Sequence, residues 1–243
     1  MKYALVTGGS RGIGRAVCVR LARMGYHVLV NCVNRTDEAE HTLELVRQEG
    51  QDGEVLKFDV GNRVQVSAVL EAWMEKHPEE YIEVLVNNAG VLGASMPNAT
   101  EEAFDKVIDT NLKGVFFLSQ LFGGYLKANK VEGNILNVGS SSCLRPATSA
   151  YTLSKWGIRG LTLGLAKSLA PYGVTVNGIA PGPTATPMLL KDGQGNITNK
   201  GNPIGRYALP EEIANMAVVL VSPMGRTIVG DMVYMTGGAA TVT

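Results

Sequence analysis

Short apolar runs alternate with longer amphipathic ones along almost the whole chain, and that alternation admits few folds. Strands are expected over 3–7, 27–31, 54–58, 83–87, 134–138, 174–179 and 232–235. Most are rich in Val, Ile and Leu, as strands covered on both faces must be. Helices are expected over 12–24, 37–49, 63–76, 100–109, 112–129, 150–170 and 210–221. Stop signals follow several of them, in RMGY, RQEG and LAPYG. Strand–helix alternation of this kind predicts an α/β fold, a doubly wound parallel sheet of about seven strands with helices on both faces. No Pro/Ser-rich linker and no repeat divides the sequence, so residues 1–243 read as one domain. The least regular stretch is 181–206, with KDGQGNITNKGN at its centre. It is long for a connection inside a domain, and such loops are functional lids or disordered.

Composition narrows the function classes. Lys+Arg and Asp+Glu stand at 22 each, so the strong basic footprint of a nucleic-acid binder is absent. No apolar run reaches membrane-span length. The start, MKYALVTGG, meets glycines too soon for a secretory signal. Cys18, Cys32 and Cys143 are scattered and odd in number, which predicts reduced thiols and a cytoplasmic setting. His27, His41 and His77 form no ligand-spaced cluster, so no histidine or thiolate metal site is expected; a carboxylate site stays open.

The first strand runs into TGGSRGIGRAV, where Gly8, Gly12 and Gly14 give a T-G-x-x-x-G-x-G pattern. Glycines let a backbone turn sharply and approach a ligand, and the helix that follows offers free N–H groups to a pyrophosphate. No Lys-Ser/Thr follows, so the NTPase loop is excluded. The same glycines could simply make a tight strand–helix turn. Their place after a first strand and before a helix favours dinucleotide binding.

Further signals stand at strand ends. NNAG (87–90) closes the fourth strand and is either a turn or a cofactor-side wall. Asn111 lies between two helical runs, where it could cap a helix. NVGSSS puts Ser140 at the C-terminal end of the fifth strand, the edge where open α/β sheets bind ligands. Of eight tyrosines, Tyr151 alone has a lysine four positions on, Lys155, on the same helix face. APGPTATP follows the sixth strand.

In this order the motifs resemble the short-chain dehydrogenase/reductase family in its small single-domain, Rossmann-like form, over essentially the whole chain. The resemblance implies catalytic roles for Ser140, Tyr151, Lys155 and Asn111. It implies a cofactor site built from Thr7, Gly8, Ser10, Arg11, Gly12, Ile13, Gly14, Asn31, Arg35, Asp59, Val60, Asn87, Ala89, Gly90, Pro181, Gly182 and Thr184, with Tyr151 and Lys155 shared. Ser140 stands closer to the tyrosine than in many members, and Ser141 and Ser142 are its neighbours; the NVGS context favours Ser140.

The chemistry is readable from the residue types. A free tyrosine, with a pKa of about 10, exchanges protons poorly near neutrality. A nearby ammonium favours the phenolate and lowers that value. Tyr151 can then exchange a proton with a carbonyl or alcohol oxygen that Ser140 hydrogen-bonds. By the resemblance, Lys155 also binds the nicotinamide ribose, and Asn111 supports a water-mediated proton path. At the second strand's end Asn31 replaces the acid that binds an adenosine 2′-hydroxyl, while Arg11 and Arg35 can fork a 2′-phosphate. NADP is therefore expected over NAD.

Gly157, Gly160 and Gly164 on one helix and VFFLSQLFGGYL on another suggest close helix approach; the resemblance implies a homotetramer. The chain most resembles 3-oxoacyl-[acyl-carrier-protein] reductases, with acyl carrier protein as an implied partner. Lys127 and Lys130 could add to a basic docking patch. Tyr172 stands where those reductases often carry arginine, which weakens that assignment. Sugar, polyol and other secondary-alcohol dehydrogenases share every catalytic residue named. A non-catalytic NADP-binding regulatory protein is the alternative from another class, and the intact Ser/Tyr/Lys/Asn set argues against it.

Overall fold

The computed structural model describes residues 1–190 and 196–240. Seven strands form one sheet: β1 Lys2–Val6, β2 His27–Cys32, β3 Gly53–Lys57, β4 Tyr81–Asn87, β5 Gly133–Val138, β6 Val174–Pro181 and β7 Met232–Met235. All neighbours run parallel, in the order β3-β2-β1-β4-β5-β6-β7. The chain winds outward from β1 to β3, then returns to β4 and winds the other way. The order reverses between β1 and β4, and the crevice above that point is where such sheets bind ligands.

Strand parity explains the continuous apolar runs. Ala4 and Val6 of β1 face a core built with Val17 and Leu21 of α1 (Gly12–Arg23), Leu43 of α2 (Thr36–Gln48) and Ile213 of α7 (Pro210–Leu220). Tyr3 and Leu5 face the other core, with Leu70 and Trp73 of α3 (Arg63–Lys76), Phe122 of α5 (Gly114–Asn129) and Ala166 of α6 (Ala150–Leu169). Both faces of the strand are dry, so neither alternates with polar residues. The remaining helix, α4 (Glu101–Ile108), lies against α6. Among the described residues no helix is long and apolar enough to cross a membrane.

Element limits differ from the expected ones by a residue or two at most positions, with one larger difference. The helices expected over 100–109 and 112–129 are joined by a π turn, Asp109–Lys113, that carries Asn111. Gly114 follows it; a Cβ there would lie 2.6 Å from the Val60 carbonyl oxygen, so only glycine lets this turn sit against the end of β3's connection. Of the expected loop 181–206, residues 191–195 lie outside the described residues. The remainder is tied down. Ala185 N–H donates to the Ala208 carbonyl (2.8 Å), and Ala208 N–H to Pro183 (2.9 Å).

Candidate active site

The turn after β1 is shaped by its glycines. Gly8 (φ +61°) and Gly12 (φ +56°) hold left-handed backbone, which favours glycine. A Cβ on Gly14 would lie 2.3 Å from the Gly8 carbonyl oxygen, so its absence lets α1 begin against the loop. Asn62, Thr100 and Ser149 cap α3, α4 and α6 with a side-chain oxygen, but Arg11, at the start of α1, supplies none. The first N–H groups of α1 are left for a ligand. An anionic group fits there both geometrically and by the helix dipole.

Three groups outside the glycine pattern hold this loop in place. Arg15 donates through Nε to Thr42 Oγ1 (3.0 Å) and through its guanidinium to the Ser10 carbonyl and to Glu38. Thr42 donates to the carbonyls of Gly9 and Ser10 (3.2 Å each). Asn88 donates through Nδ2 to the carbonyls of Thr7 (2.8 Å) and Gly8 (3.1 Å). Thr7 Oγ1 in turn accepts the N–H groups of Asn88 (2.9 Å) and Ala89 (3.0 Å). Thr7 is therefore a brace between β1 and β4 rather than a wall of the cleft. None of Arg15, Thr42 and Asn88 was singled out from the sequence. Only the NNAG motif pointed toward one of them.

A cleft of about 800 Å³ opens above the β1/β4 reversal. Gly8, Ser10, Arg11, Gly12 and Ile13 line it, as do Asn31, Arg35, Asp59, Val60, Ala89, Gly90, Ser140, Tyr151, Lys155, Pro181, Gly182 and Thr184. Most of the expected cofactor residues are thus brought together. Besides Thr7, two further expected residues have their side chains engaged elsewhere. Asn87 faces the interior, donating to Ser119 Oγ (3.0 Å) and Asn137 Oδ1 (2.9 Å); Asn88 takes the loop-facing place. Asn31 reaches the cleft wall, but its side chain is committed to backbone. Its Oδ1 accepts Gly8 N–H (3.2 Å), and its Nδ2 donates to Leu56 and Phe58 carbonyls (3.1 and 2.9 Å). It splices β2 to the glycine loop and to β3.

Arg11 and Arg35 are exposed on the β1/β2 side of the cleft. Among the described residues neither forms an ion pair with a carboxylate. Asp59, the one acid on the wall among the described residues, accepts Gly61 N–H through Oδ1 (2.9 Å).

On the other side, Ser140 ends the β5 connection and starts a 3-10 turn, Ser141–Leu144, accepting Ser142 N–H (3.1 Å). Of the three adjacent serines it is Ser140 whose hydroxyl favours the ionised form of the Tyr151 phenol. Lys155, buried one turn beyond Tyr151, donates to the Val138 carbonyl (2.9 Å), with its ammonium 5.6 Å from the Tyr151 ring centroid. Burial pushes the Lys155 ammonium down to about 8. The phenol does not follow the expected direction. Burial pushes Tyr151 above its ordinary value of 10.0, and the Ser140 hydroxyl opposes this without overcoming it. The lysine's charge is turned to Val138, and desolvation dominates. Asn111 is buried with its side chain fully engaged. Oδ1 accepts Val91 N–H (2.8 Å), and Nδ2 donates to the Val91 carbonyl (2.9 Å) and Ser154 Oγ (3.2 Å). It does not line the cleft; it sits in the π turn behind it.

A Rossmann-like sheet, a glycine turn at the order reversal and a Ser–Tyr–Lys group at the facing strand ends define a dinucleotide-dependent oxidoreductase. Residues 2–196 match the family model described as short chain dehydrogenase. The chain belongs to the short-chain dehydrogenase/reductase family, whose members work with a nicotinamide cofactor. It is 33% identical over 249 residues to a 3-oxoacyl-[acyl-carrier-protein] reductase FabG of Staphylococcus aureus, spanning 98% of this chain and 97% of that one. It is also 33% identical over 244 residues to glucose 1-dehydrogenase 2 of Bacillus subtilis, spanning 98% and 94%. Among solved structures, a short chain dehydrogenase from Burkholderia cenocepacia in complex with NADP superposes with a TM-score of 0.86 at 31% identity. That match covers 98% of this chain and 97% of the other.

Proposed function

We propose that this protein is an NADP(H)-dependent reductase that converts a 3-oxoacyl thioester to the secondary alcohol. The observation that carries the reaction type is the Ser140–Tyr151–Lys155 group at one end of a cleft whose other end presents Arg11 and Arg35, which pair with no carboxylate among the described residues. Ser140 donates a hydrogen bond to the carbonyl oxygen and steadies charge as it develops. Tyr151 delivers the proton to that oxygen, and takes it back in the oxidising direction. Lys155 holds the ribose hydroxyls and supplies the positive charge beside the phenol. The α1 N-terminus takes the pyrophosphate, Asp59 and Val60 border the adenine, and Arg11 and Arg35 fork the 2′-phosphate. Bound in this cleft, the nicotinamide supplies the hydride and, when oxidised, a positive charge that favours the phenolate.

The thioester reading rests on overall similarity to 3-oxoacyl-[acyl-carrier-protein] reductases. A carrier protein docks weakly in this reading. Lys127 places its ammonium 4.2 Å over the Tyr172 ring, so that ammonium is already engaged where a docking arginine would stand. Equal similarity to a glucose dehydrogenase favours a sugar or polyol as the second reading. A homotetramer fits the exposed Phe116, Leu153, Trp156 and Leu163 on α5 and α6. At Gly124, Gly160 and Gly164 a Cβ would meet open space, so another chain can approach closely. The three cysteines are free and buried, which suits the cytoplasm. The test is a spectrophotometric screen of β-ketoacyl thioesters, simple ketones and sugars with NADPH and NADH. Turnover of thioesters is expected; turnover of sugars alone would replace the substrate and leave the hydride chemistry standing. Failure with every carbonyl compound, with cofactor binding intact, would favour a regulatory role.

A further inference from the structure

We infer that Arg145 recognises an oxyanion on the substrate, a carboxylate or phosphate carried by the molecule whose carbonyl reacts at Ser140 and Tyr151. The inference deepens the proposed function and rests on its placement of the reacting carbonyl. Arg145 directly follows the 3-10 turn that starts at Ser140, and it lines the same cleft beside Ser142 and Tyr151. Its backbone is fixed at both ends. Its N–H donates to the Ser142 carbonyl (3.1 Å), and its carbonyl accepts the Trp156 indole N–H (3.0 Å). Pro146 follows and favours the extended backbone seen at Arg145 (φ −112°, ψ 154°). The guanidinium is therefore carried by a braced segment.

That guanidinium has donors to offer. A guanidinium carries five N–H groups. One nitrogen donates to the Ala239 carbonyl (3.2 Å), and among the described residues no carboxylate pairs with it. Of the cleft's other described charges, Lys155 is buried against Val138, Asp59 is bonded to Gly61, Arg11 and Arg35 stand on the β1/β2 side, and Lys106 is carried by α4. The same cleft is also lined by Leu92, Pro183, Met188 and Leu189, which are apolar. The substrate this arrangement fits has an apolar body and an anionic end. Two sources share that chemistry: the phosphate of a pantetheine carrier, and a carboxylate of the substrate itself.

The test compares charged and neutral partners in pairs, on the full chain and on Arg145→Gln and Arg145→Lys. The pairs are acetoacetyl-CoA against acetoacetyl-N-acetylcysteamine, 3-hydroxybutyrate against its methyl ester, and gluconate against glucose. The wild type should prefer the charged member of the pair it turns over. Arg145→Gln should reduce that preference about tenfold, chiefly through KM, as expected for a lost hydrogen bond to a charged group. Arg145→Lys should restore part of it, since an ammonium lacks the planar fork. Preference in the first pair identifies a carrier phosphate; in the other two, a carboxylate. Turnover confined to the sugar pair defeats the thioester reading, yet a charged preference lost in Arg145→Gln there still supports Arg145. A preference unchanged in Arg145→Gln, or a wild type that favours neutral members, overturns the inference. Calorimetric titration with 4′-phosphopantetheine, pantetheine and acetoacetate, without cofactor, gives a readout independent of turnover. Binding of one anion, weakened about tenfold in Arg145→Gln, supports it; binding of none overturns it.

Discussion

The Lys155 ammonium is held 2.9 Å from the Val138 carbonyl, two residues before Ser140, so one strand end positions both the charge and the hydroxyl of the site. Its pKa of about 8 lies below the ordinary 10.5, because burial disfavours the charged form. On the proposed roles the ammonium is needed, and it is lost as pH rises through about 8. kcat/KM for carbonyl reduction should therefore fall on the basic side with that midpoint. A profile flat to well above this pH would remove Lys155's charge from the mechanism. The effect on stability has the opposite sign. Between about 8 and 10.5 the unfolded chain holds the extra proton, so this group's contribution rises with pH across that window.

Tyr151→Phe keeps the ring and removes the hydroxyl beside Ser140. Turnover should drop by about 10²–10⁴, the usual range for acid–base help. NADPH affinity, measured by fluorescence titration, should change little. Near-wild-type turnover in the folded variant would assign the proton to another group.

Arg11 and Arg35 should set cofactor choice. NADPH should bind more tightly than NADH, and replacing either arginine by alanine should cut that preference about tenfold, as loss of a bond to a charged group does. NADH affinity should stay nearly constant in both variants. Equal losses for the two cofactors would show that the arginines do not read the phosphate.

Gly14→Ala tests the loop packing. The added methyl would lie 2.3 Å from the Gly8 carbonyl oxygen and 2.5 Å from Asn88 Nδ2, so the loop must move. Cofactor affinity should fall at least about tenfold, on the scale of a lost charged contact. An unchanged dissociation constant would mean that the loop does not carry the pyrophosphate.

Glu212 gives an acid-side prediction. Its carboxylate takes both Arg206 guanidinium nitrogens (2.7 and 2.8 Å) and the Leu209 N–H (2.8 Å), and the arginine bond chiefly holds it down to about 2. A depressed carboxylate contributes stability above its ordinary pKa of 4.5 and loses it as pH falls toward about 2. The pair is partly exposed, so the contribution is modest, on the order of 1 kcal/mol or less. Glu212→Gln should lower Tm by a few degrees at neutral pH, and the difference from wild type should shrink in acid. A constant difference across pH would show that the charge is irrelevant.

The sheet and its helices were legible because both periodicities are strong and several helix ends carry stops. What escaped was decided by parity and by contact between distant segments. NNAG announces a loop-facing asparagine, but which of two neighbours faces the loop depends on where β4 leaves the sheet. Asn87 is still a strand residue paired with Asn137, so Asn88 turns to Gly8. The π turn at Asn111 has no local signature; Gly114 matters only because Val60 comes close. Arg15 and Thr42 looked like ordinary helix residues until α2 was brought beside the glycine loop. Arg145 shows nothing in sequence, since it meets the cleft only where the segments after β4 and β6 also line it.

The amide of Asn87 joins Asn137, and Asn137 donates to Thr162 Oγ1 on α6 (3.0 Å), forming a polar rung across an otherwise dry interior. Sliding β5 or α6 by one residue would strand several of these groups without partners, at a few kcal/mol each. The rung thus indexes β5, which leads to Ser140, to α6, which carries Tyr151 and Lys155, independently of the segments that form the cleft's outer wall. Those segments can be exchanged or lengthened without retuning the distance a proton must travel, so substrate range and proton transfer in this protein are separable engineering variables.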